Sequence, residues 1–369
     1  MSDPRSAGAV LTIDLDAIVA NWRLLKKRAP TAICSAVVKA NAYGLGVDRV
    51  APALSAAGCE VFFVATLDEG IALRRVAPEA SIHVLNGLAA NTAPPYGEHR
   101  LHPVLGSLGE IDAWRAFIGD QPAPVAAALH VDTGMSRLGL PPDELAVLAD
   151  DPGRLAGIEL SAIISHLVSA EGPDEAINRQ QLDAFRAALA VLPAAPASLA
   201  NSSGIFLGTD YHFDMVRPGA ALYGLAPQVD SLNPMRQVIR LHGRILQVRE
   251  IESPQTVGYG ATHRAAGRER IATIGVGYAD GYPRTLSNVA SAFVGDVWVP
   301  LVGRVSMDLI TFDVSAVPVD TVRPGDLVEL IGPDHSVDDL AGEAGTIGYD
   351  ILTSLGARYH RTYVGGDNE

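Results

Sequence analysis

Residues 33–46 read ICSAVVKANAYGLG, an apolar run that ends on Lys39 and passes into small and turn residues. β-branched residues followed by a segment of different period predict a buried strand, Ile33–Val38, running out into a loop. Working outward, the same unit recurs. Val61–Ala65, Ile82–Asn86, Leu101–Leu105, Val125–Val131, Ile158–Ser165, Ala197–Ala200 and Phe213–Val216 are further candidate strands. Amphipathic stretches such as Leu15–Arg28 and Asp174–Leu192 separate them. Eight strands alternating with helices over some two hundred residues predict an α/β fold, a (β/α)8 TIM barrel.

After Met235 the character changes. Ile245–Ile251, Arg270–Val276, Ala292–Val302, Ile310–Val314 and Asp326–Ile331 are β-prone runs punctuated by Gly-Asp and Pro-Gly turns. The expected organisation is a barrel over 11–235, then a mainly β domain over 236–369 with which residues 1–10 pair. A length of 369 residues suits two domains.

Forty-two Asp and Glu against 28 Lys and Arg give a net charge of −14, which repels a phosphate backbone and argues against nucleic acid as a partner. Cys34 and Cys59, the only cysteines, sit in apolar stretches without metal-ligand spacing and read as core residues, so no metal is expected. MSDPRSAGAV has no apolar leader core, and the longest uncharged stretch, 187–209, is broken by Pro193, Pro196, Asn201 and three serines. The expectation is a cytoplasmic protein without a membrane span.

In such a barrel reactive groups gather where strands run out into their loops. Lys39 ends the first strand, Arg137 follows the fifth in VDTGMSRLG, and His166 ends the sixth in ISHLV. Asn201 and Ser202 follow the seventh, and Arg217 ends the eighth in MVRPGAALYG. Singly each is ordinary, since a lone Lys or Arg is usually a solvated charge and a lone His on an apolar strand a satisfied core group. Their convergence on one rim is not ordinary. A lysine at the end of an apolar strand is costly unless it loses its proton or bonds covalently, which points to a Schiff base and hence to pyridoxal phosphate. Loops after strands seven and eight are common phosphate sites, and here they offer Ser202 and the Gly219-Ala220 turn.

VVKANAYGLG, VDTGMSRLG, ANSSG, MVRPGAALYG, VGYGAT, GYADGYPR, VGRVSMD and TIGYDIL, in this order and across nearly the whole chain, resemble the alanine racemase family of fold-type III pyridoxal-phosphate enzymes. The resemblance implies a racemase interconverting L- and D-alanine and supplying D-alanine for peptidoglycan. It implies that Lys39 bonds the cofactor and serves as base or acid on one face of the substrate Cα. Tyr259, contributed by the other protomer of a homodimer, would serve on the opposite face, with nearby cations depressing its pKa. Arg217 would face the pyridine nitrogen and His166 would bond that arginine. Arg137 and the backbone at Met307 would hold the substrate carboxylate. Tyr43, Asn201, Ser202, Gly219, Ala220 and Tyr349 would hold the cofactor, and Tyr278 would line substrate access from across the dimer.

Three positions depart from the family pattern. His130 stands where many members carry a carbamylated lysine that positions the arginine; a water or an anion such as chloride would then bridge to Arg137. Leu45 and Ser198 stand where histidines are common. Competing readings keep the fold and cofactor: a racemase of broader specificity, a decarboxylase, or a non-catalytic pyridoxal-phosphate carrier. A decarboxylase would need a Cys or Asp acid where the β domain offers VGYGAT, and a carrier would need no second base.

Overall fold

The computed structural model describes residues 6–119 and 124–366, which form two compact units. One comprises Ile18–Arg236; the other joins the described residues up to Ala17 to those from Gln237 onward.

In the first unit seven parallel strands run in sequence order, Ala36–Val37, Val61–Val64, Ser81–Val84, Leu101–Leu105, Val125–His130, Ile158–Ile164 and Ala197–Ser198. The eighth, Met215–Val216, pairs in parallel with Ile33–Cys34. Backbone bonds from Asp214 N–H to Ala197 C=O and from Arg217 N–H to Ala200 C=O close the ring on its other side. The expected first strand is therefore cut at Ser35. Barrel strands are staggered, so Ile33–Cys34 meets the eighth strand while Ala36–Val37 meets the second, and one strand serves two ladders over different lengths. The seventh and eighth strands are shorter than expected because Phe213 takes a positive φ of 49° and Asn201 turns into a 3-10 helix, Ser203–Phe206.

Helices Leu15–Arg28, Val47–Ala56, Leu67–Val76, Ala93–Glu98, Leu108–Ile118, Pro142–Asp150 and Ala176–Val191 are the outer layer. Trp22, Leu25, Leu73, Trp114, Leu182 and Phe185 bury their apolar stripes. Strand interiors are mainly apolar, with Phe62, Phe63, Ile82, Val104 and Leu129 fully enclosed and the buried His83 stacked on Phe63. His130, Ser165 and Ser198 are buried polar residues at the ends of their strands, where the barrel opens.

In the second unit the long strand Ile239–Ile251 organises one sheet. It pairs with Leu327–Ile331, Glu269–Ile274 and Ala9–Asp14, and the last of these also pairs in parallel with His360–Val364. Of residues 1–10, Ala9 faces Gly243 and Val10 faces His242 and His360, while residues 1–5 lie outside those described. The expected strand 292–302 is a hairpin, Ser291–Val294 with Val297–Pro300, turning at Gly295 with φ +57°. Two short helices, Val337–Ala344 and Gly348–Ser354, stand in what reads as a β region. No helix among the described residues is long and apolar enough to cross a membrane, and no cluster of three metal-ligating side chains occurs among them.

Candidate active site

Lys39 follows directly on the first barrel strand, and the backbone then does something the residue types hide. Ala40, Asn41, Ala42 and Tyr43 take φ values of 51°, 55°, 55° and 52°, one turn of left-handed helix. Such geometry costs a non-glycine residue about 1–2 kcal/mol. The turn is held by Gly44 N–H to Ala40 C=O (2.7 Å), Gly46 N–H to Asn41 C=O (2.9 Å) and Val47 N–H to Asn41 Oδ1 (2.8 Å). Ala40 N–H donates to Glu69 Oε1 at 2.6 Å. The Lys39 amine has no hydrogen bond or ion pair among the described residues. Burial, and then the Arg137 charge, hold its pKa below the ordinary lysine value. A lysine so placed is primed to act as a neutral nucleophile or base.

Arg217 is buried and pairs with no carboxylate among the described residues. Its Nη1 donates to Ser198 C=O (2.7 Å) and Ser198 Oγ (2.6 Å), and Nη2 donates to Ser165 C=O. Burial lowers its pKa to about 10, which still leaves it charged at neutral pH. The expected bond from His166 is not made among the described residues, because the guanidinium is turned to Ser198 and Ser165; the two are coupled by charge instead. Burial, then Arg217, Arg137 and Lys39, push His166 down to about 3, so this ring is neutral. His130, lowered to about 4 by burial and then by Arg217, is neutral as well and supplies no countercharge. Arg137 is exposed and unpaired among the described residues, in a loop folded around Asp132, whose Oδ1 accepts from Gly134, Met135 and Ser136 N–H.

Ser202 Oγ accepts from Gly219 N–H (2.9 Å) and Ala221 N–H (3.1 Å), so its lone pairs are occupied and its O–H is left to donate. A Cβ on Gly219 would lie 2.5 Å from Tyr43 Oη; only glycine admits that phenol. Tyr43 stacks on Tyr223 with centroids 4.6 Å apart. Asn201 Oδ1 accepts from Gly204 N–H (2.8 Å) and starts the turn, and its NH2 is available to donate to a ligand. An unpaired desolvated lysine, an uncompensated buried arginine and a hydroxyl obliged to donate form a site chemically fitted to pyridoxal phosphate, an aldehyde carrying a phosphate.

The remaining expected residues belong to the β unit. Tyr259 lies between Gly258 (φ +71°) and Gly260 (φ +73°), is 72% exposed, and lines an open depression of ≈ 580 Å³ with Gln247, Arg249, Thr273 and Arg304. Tyr278 and Met307 occupy two loops pressed together: Tyr278 N–H bonds Ser306 C=O and Ala279 N–H bonds Met307 C=O, each at 3.0 Å. Arg358 clasps both, with Nε and Nη2 on Asp280 (2.6 and 2.8 Å) and Nη1 on Asp308 (2.7 Å). The Met307 N–H makes no hydrogen bond among the described residues. Tyr349 lies half-buried on the helix Gly348–Ser354.

Three contributors escape the sequence reading: Glu69, Arg358, and Ser198 as a partner of Arg217. Thr66-x-x-Glu69 is a capping-box spacing and would have marked Glu69 as a helix start, though not its reach to Ala40.

Residues 13–227 match the family described as alanine racemase, N-terminal domain, and residues 238–363 match alanine racemase, C-terminal domain. The chain is 52% identical over 361 residues to an alanine racemase of Rhodospirillum rubrum, covering 97% of this chain and 96% of that one. It is 51% identical over 362 residues to a catabolic alanine racemase of Mesorhizobium japonicum, covering 98% of this chain and 94% of that one. Among solved structures, alanine racemase from Bartonella henselae with covalently bound pyridoxal phosphate superposes with a TM-score of 0.94 at 42% identity, covering 97% of this chain and all of that one.

Proposed function

The chain belongs to the alanine racemase family, pyridoxal-phosphate-dependent isomerases of alanine, and from that premise we propose a two-base reaction shared between the protomers of a homodimer. The observation that carries it is the Lys39 amine: unpaired, desolvated, and set on a strained turn beside uncompensated arginines. When bonded to Lys39, pyridoxal phosphate supplies the electron sink that makes the alanine Cα–H acidic. Arg217 would meet the pyridine nitrogen; being a permanent cation, it would donate there without giving up a proton, which limits side reactions. Ser202, with Gly219, Ala220, Tyr43, Asn201 and Tyr349, holds the phosphate end.

Arg137 and the Met307 N–H take the substrate carboxylate, a task suited to a guanidinium fork. Lys39 Nζ moves a proton on one face of Cα, and Oη of Tyr259 of the partner subunit moves one on the other. One base removes a proton as the second returns one from the far side, and configuration inverts. Tyr259, 72% exposed in its own chain, suits a role completed by a second copy. Tyr278 lines the access and, with Tyr349, favours a small side chain. With His130 neutral, a water or an anion such as chloride takes the place of a carboxylate beside Arg137.

The test is chiral chromatography of L-alanine incubated with the loaded enzyme, beside L-serine and L-lysine. D-Alanine should form fast and the other D-isomers slowly. Tyr259→Phe should lose racemisation while the cofactor stays bound; unchanged racemisation would overturn the second base. Mixing Lys39→Ala and Tyr259→Phe proteins should restore about a quarter of the wild-type rate, because half of the exchanged dimers are mixed and each carries one intact site. No recovery in mixed dimers refutes sharing. In the cell, supply of D-alanine to peptidoglycan predicts that deletion creates a D-alanine requirement.

A further inference from the structure

The proposed reaction leaves Glu69 without a part. This residue is third in the helix Leu67–Val76, whose N-cap Thr66 receives the Glu69 N–H. Glu69 Oε2 closes the capping box by accepting from Thr66 N–H (3.2 Å), and it also takes Ala65 N–H (2.8 Å). The box needs one oxygen. The other, Oε1, leaves its own βα unit and accepts from Ala40 N–H at 2.6 Å, the first left-handed residue after Lys39.

The same device recurs around the barrel. Glu110, third in Leu108–Ile118, accepts from Gly106 N–H (2.6 Å) and, in the preceding βα loop, from Leu88 N–H (3.1 Å). Glu144, third in Pro142–Asp150, accepts from Leu108 N–H (2.8 Å). Each carboxylate ties the start of one helix to the segment after an earlier strand. Of the three, Glu69 alone holds the segment bearing Lys39.

We propose that Glu69 is a positioning residue for Lys39, fixing the near end of the left-handed turn 40–43 and so the direction in which the amine meets the substrate Cα. The inference rests on the reading of Lys39 as the cofactor-bonded base. A left-handed turn of non-glycine residues persists only where surrounding bonds over-determine it. Its far end is pinned by Tyr43, stacked on Tyr223 and seated over Gly219. Its near end is pinned by a charge-assisted bond, a stronger kind than a neutral one. Releasing only the near end swings Lys39 while leaving Tyr43 and the phosphate contacts in place. The loss therefore falls on turnover and spares binding. The Glu69 charge also acts on the amine, opposing the fall in its pKa.

Glu69→Gln retains one acceptor oxygen, which serves the cap or Ala40 but not both. In the holoenzyme it should lower kcat for alanine at least tenfold, about 1.4 kcal/mol, with KM and cofactor affinity within about twofold. It should also alter the visible circular dichroism of the cofactor bonded to Lys39. Glu69→Asp keeps the charge but loses the reach, and should lose kcat to the same degree. Glu110→Gln, the matched control, should keep kcat and the visible signal while lowering the melting temperature. Wild-type kcat and dichroism in Glu69→Gln, recovery in Glu69→Asp, or an equal kcat loss in Glu110→Gln each overturn the proposal. Borohydride reduction and peptide mapping of the wild-type holoenzyme separate the two levels. A label elsewhere than Lys39 defeats the reading of that residue, whereas a label on Lys39 with an unaffected Glu69→Gln defeats the positioning role alone.

Discussion

Adding one methyl group at Gly219 should cost the enzyme its cofactor before it costs the fold. The new Cβ would lie 2.5 Å from Tyr43 Oη, 3.2 Å from Tyr43 Cζ and 3.3 Å from Val37 Cβ. Val37 belongs to a barrel strand, and Tyr43 is braced against the buried Tyr223, whose own hydroxyl bonds Val37 C=O. The phenol must therefore shift, and overpacking of this kind costs about 1–3 kcal/mol. Tyr43 and Gly219 N–H both belong to the proposed phosphate cradle, so most of that loss should appear as weaker binding, about 5- to 150-fold in Kd. Titration of the cofactor-free Gly219→Ala protein with pyridoxal phosphate, followed by absorbance, measures it. Gly342→Ala is the control: it lies inside the helix Val337–Ala344 with nothing within 4 Å of its Cβ, and should be neutral or slightly stabilising. Wild-type Kd in Gly219→Ala, with an unchanged melting temperature, would refute the close seating of Tyr43 over this glycine.

His102 and His130, each lowered to about 4, and His166, lowered to about 3, are neutral in the fold, whereas in the unfolded chain they titrate near 6.5. Between about pH 6.5 and 4 the unfolded chain binds more protons, so stability falls as pH falls, by up to ~1.4 kcal/mol per pH unit for each histidine. Urea midpoints of the cofactor-free protein should drop steadily from pH 7 to pH 5, and a flat profile would show these rings to be solvated. Arg358→Met removes the clasp on Asp280 and Asp308 and so weakens the hold between the Tyr278 and Met307 loops, which keep their backbone bonds. Its KM for alanine should rise and its preference over serine should narrow, which steady-state kinetics on both substrates would show; unchanged ratios would mean that the two loops hold without it.

The barrel was legible because its signals are local. Leu15–Arg28 announces a helix by period, and apolar runs such as Val125–Val131 announce strands. Lys39 is legible as a candidate for a related reason, a cation at the end of an apolar strand with no helical face on which to be solvated. The turn after it is not. The two alanines favour the right-handed helix, and their reversal comes with Gly44, Gly46 and a carboxylate 29 residues away, none of which alters the local pattern. The helices of the β unit escaped for the opposite reason: each spans eight residues or fewer, too short for periodicity to register, although the Ser336-x-x-Asp339 box marks one start. Tyr259 carries no periodic signal, since it sits between two glycines of positive φ and is largely exposed in its own chain. Residues proposed to touch a ligand can betray themselves by standing where burial or charge is unfavourable, as Lys39 and Arg217 do. Glu69 and Arg358 act through another side chain or a backbone N–H, each satisfied by its partner, and so read in sequence as an ordinary helix cap and an ordinary surface cation.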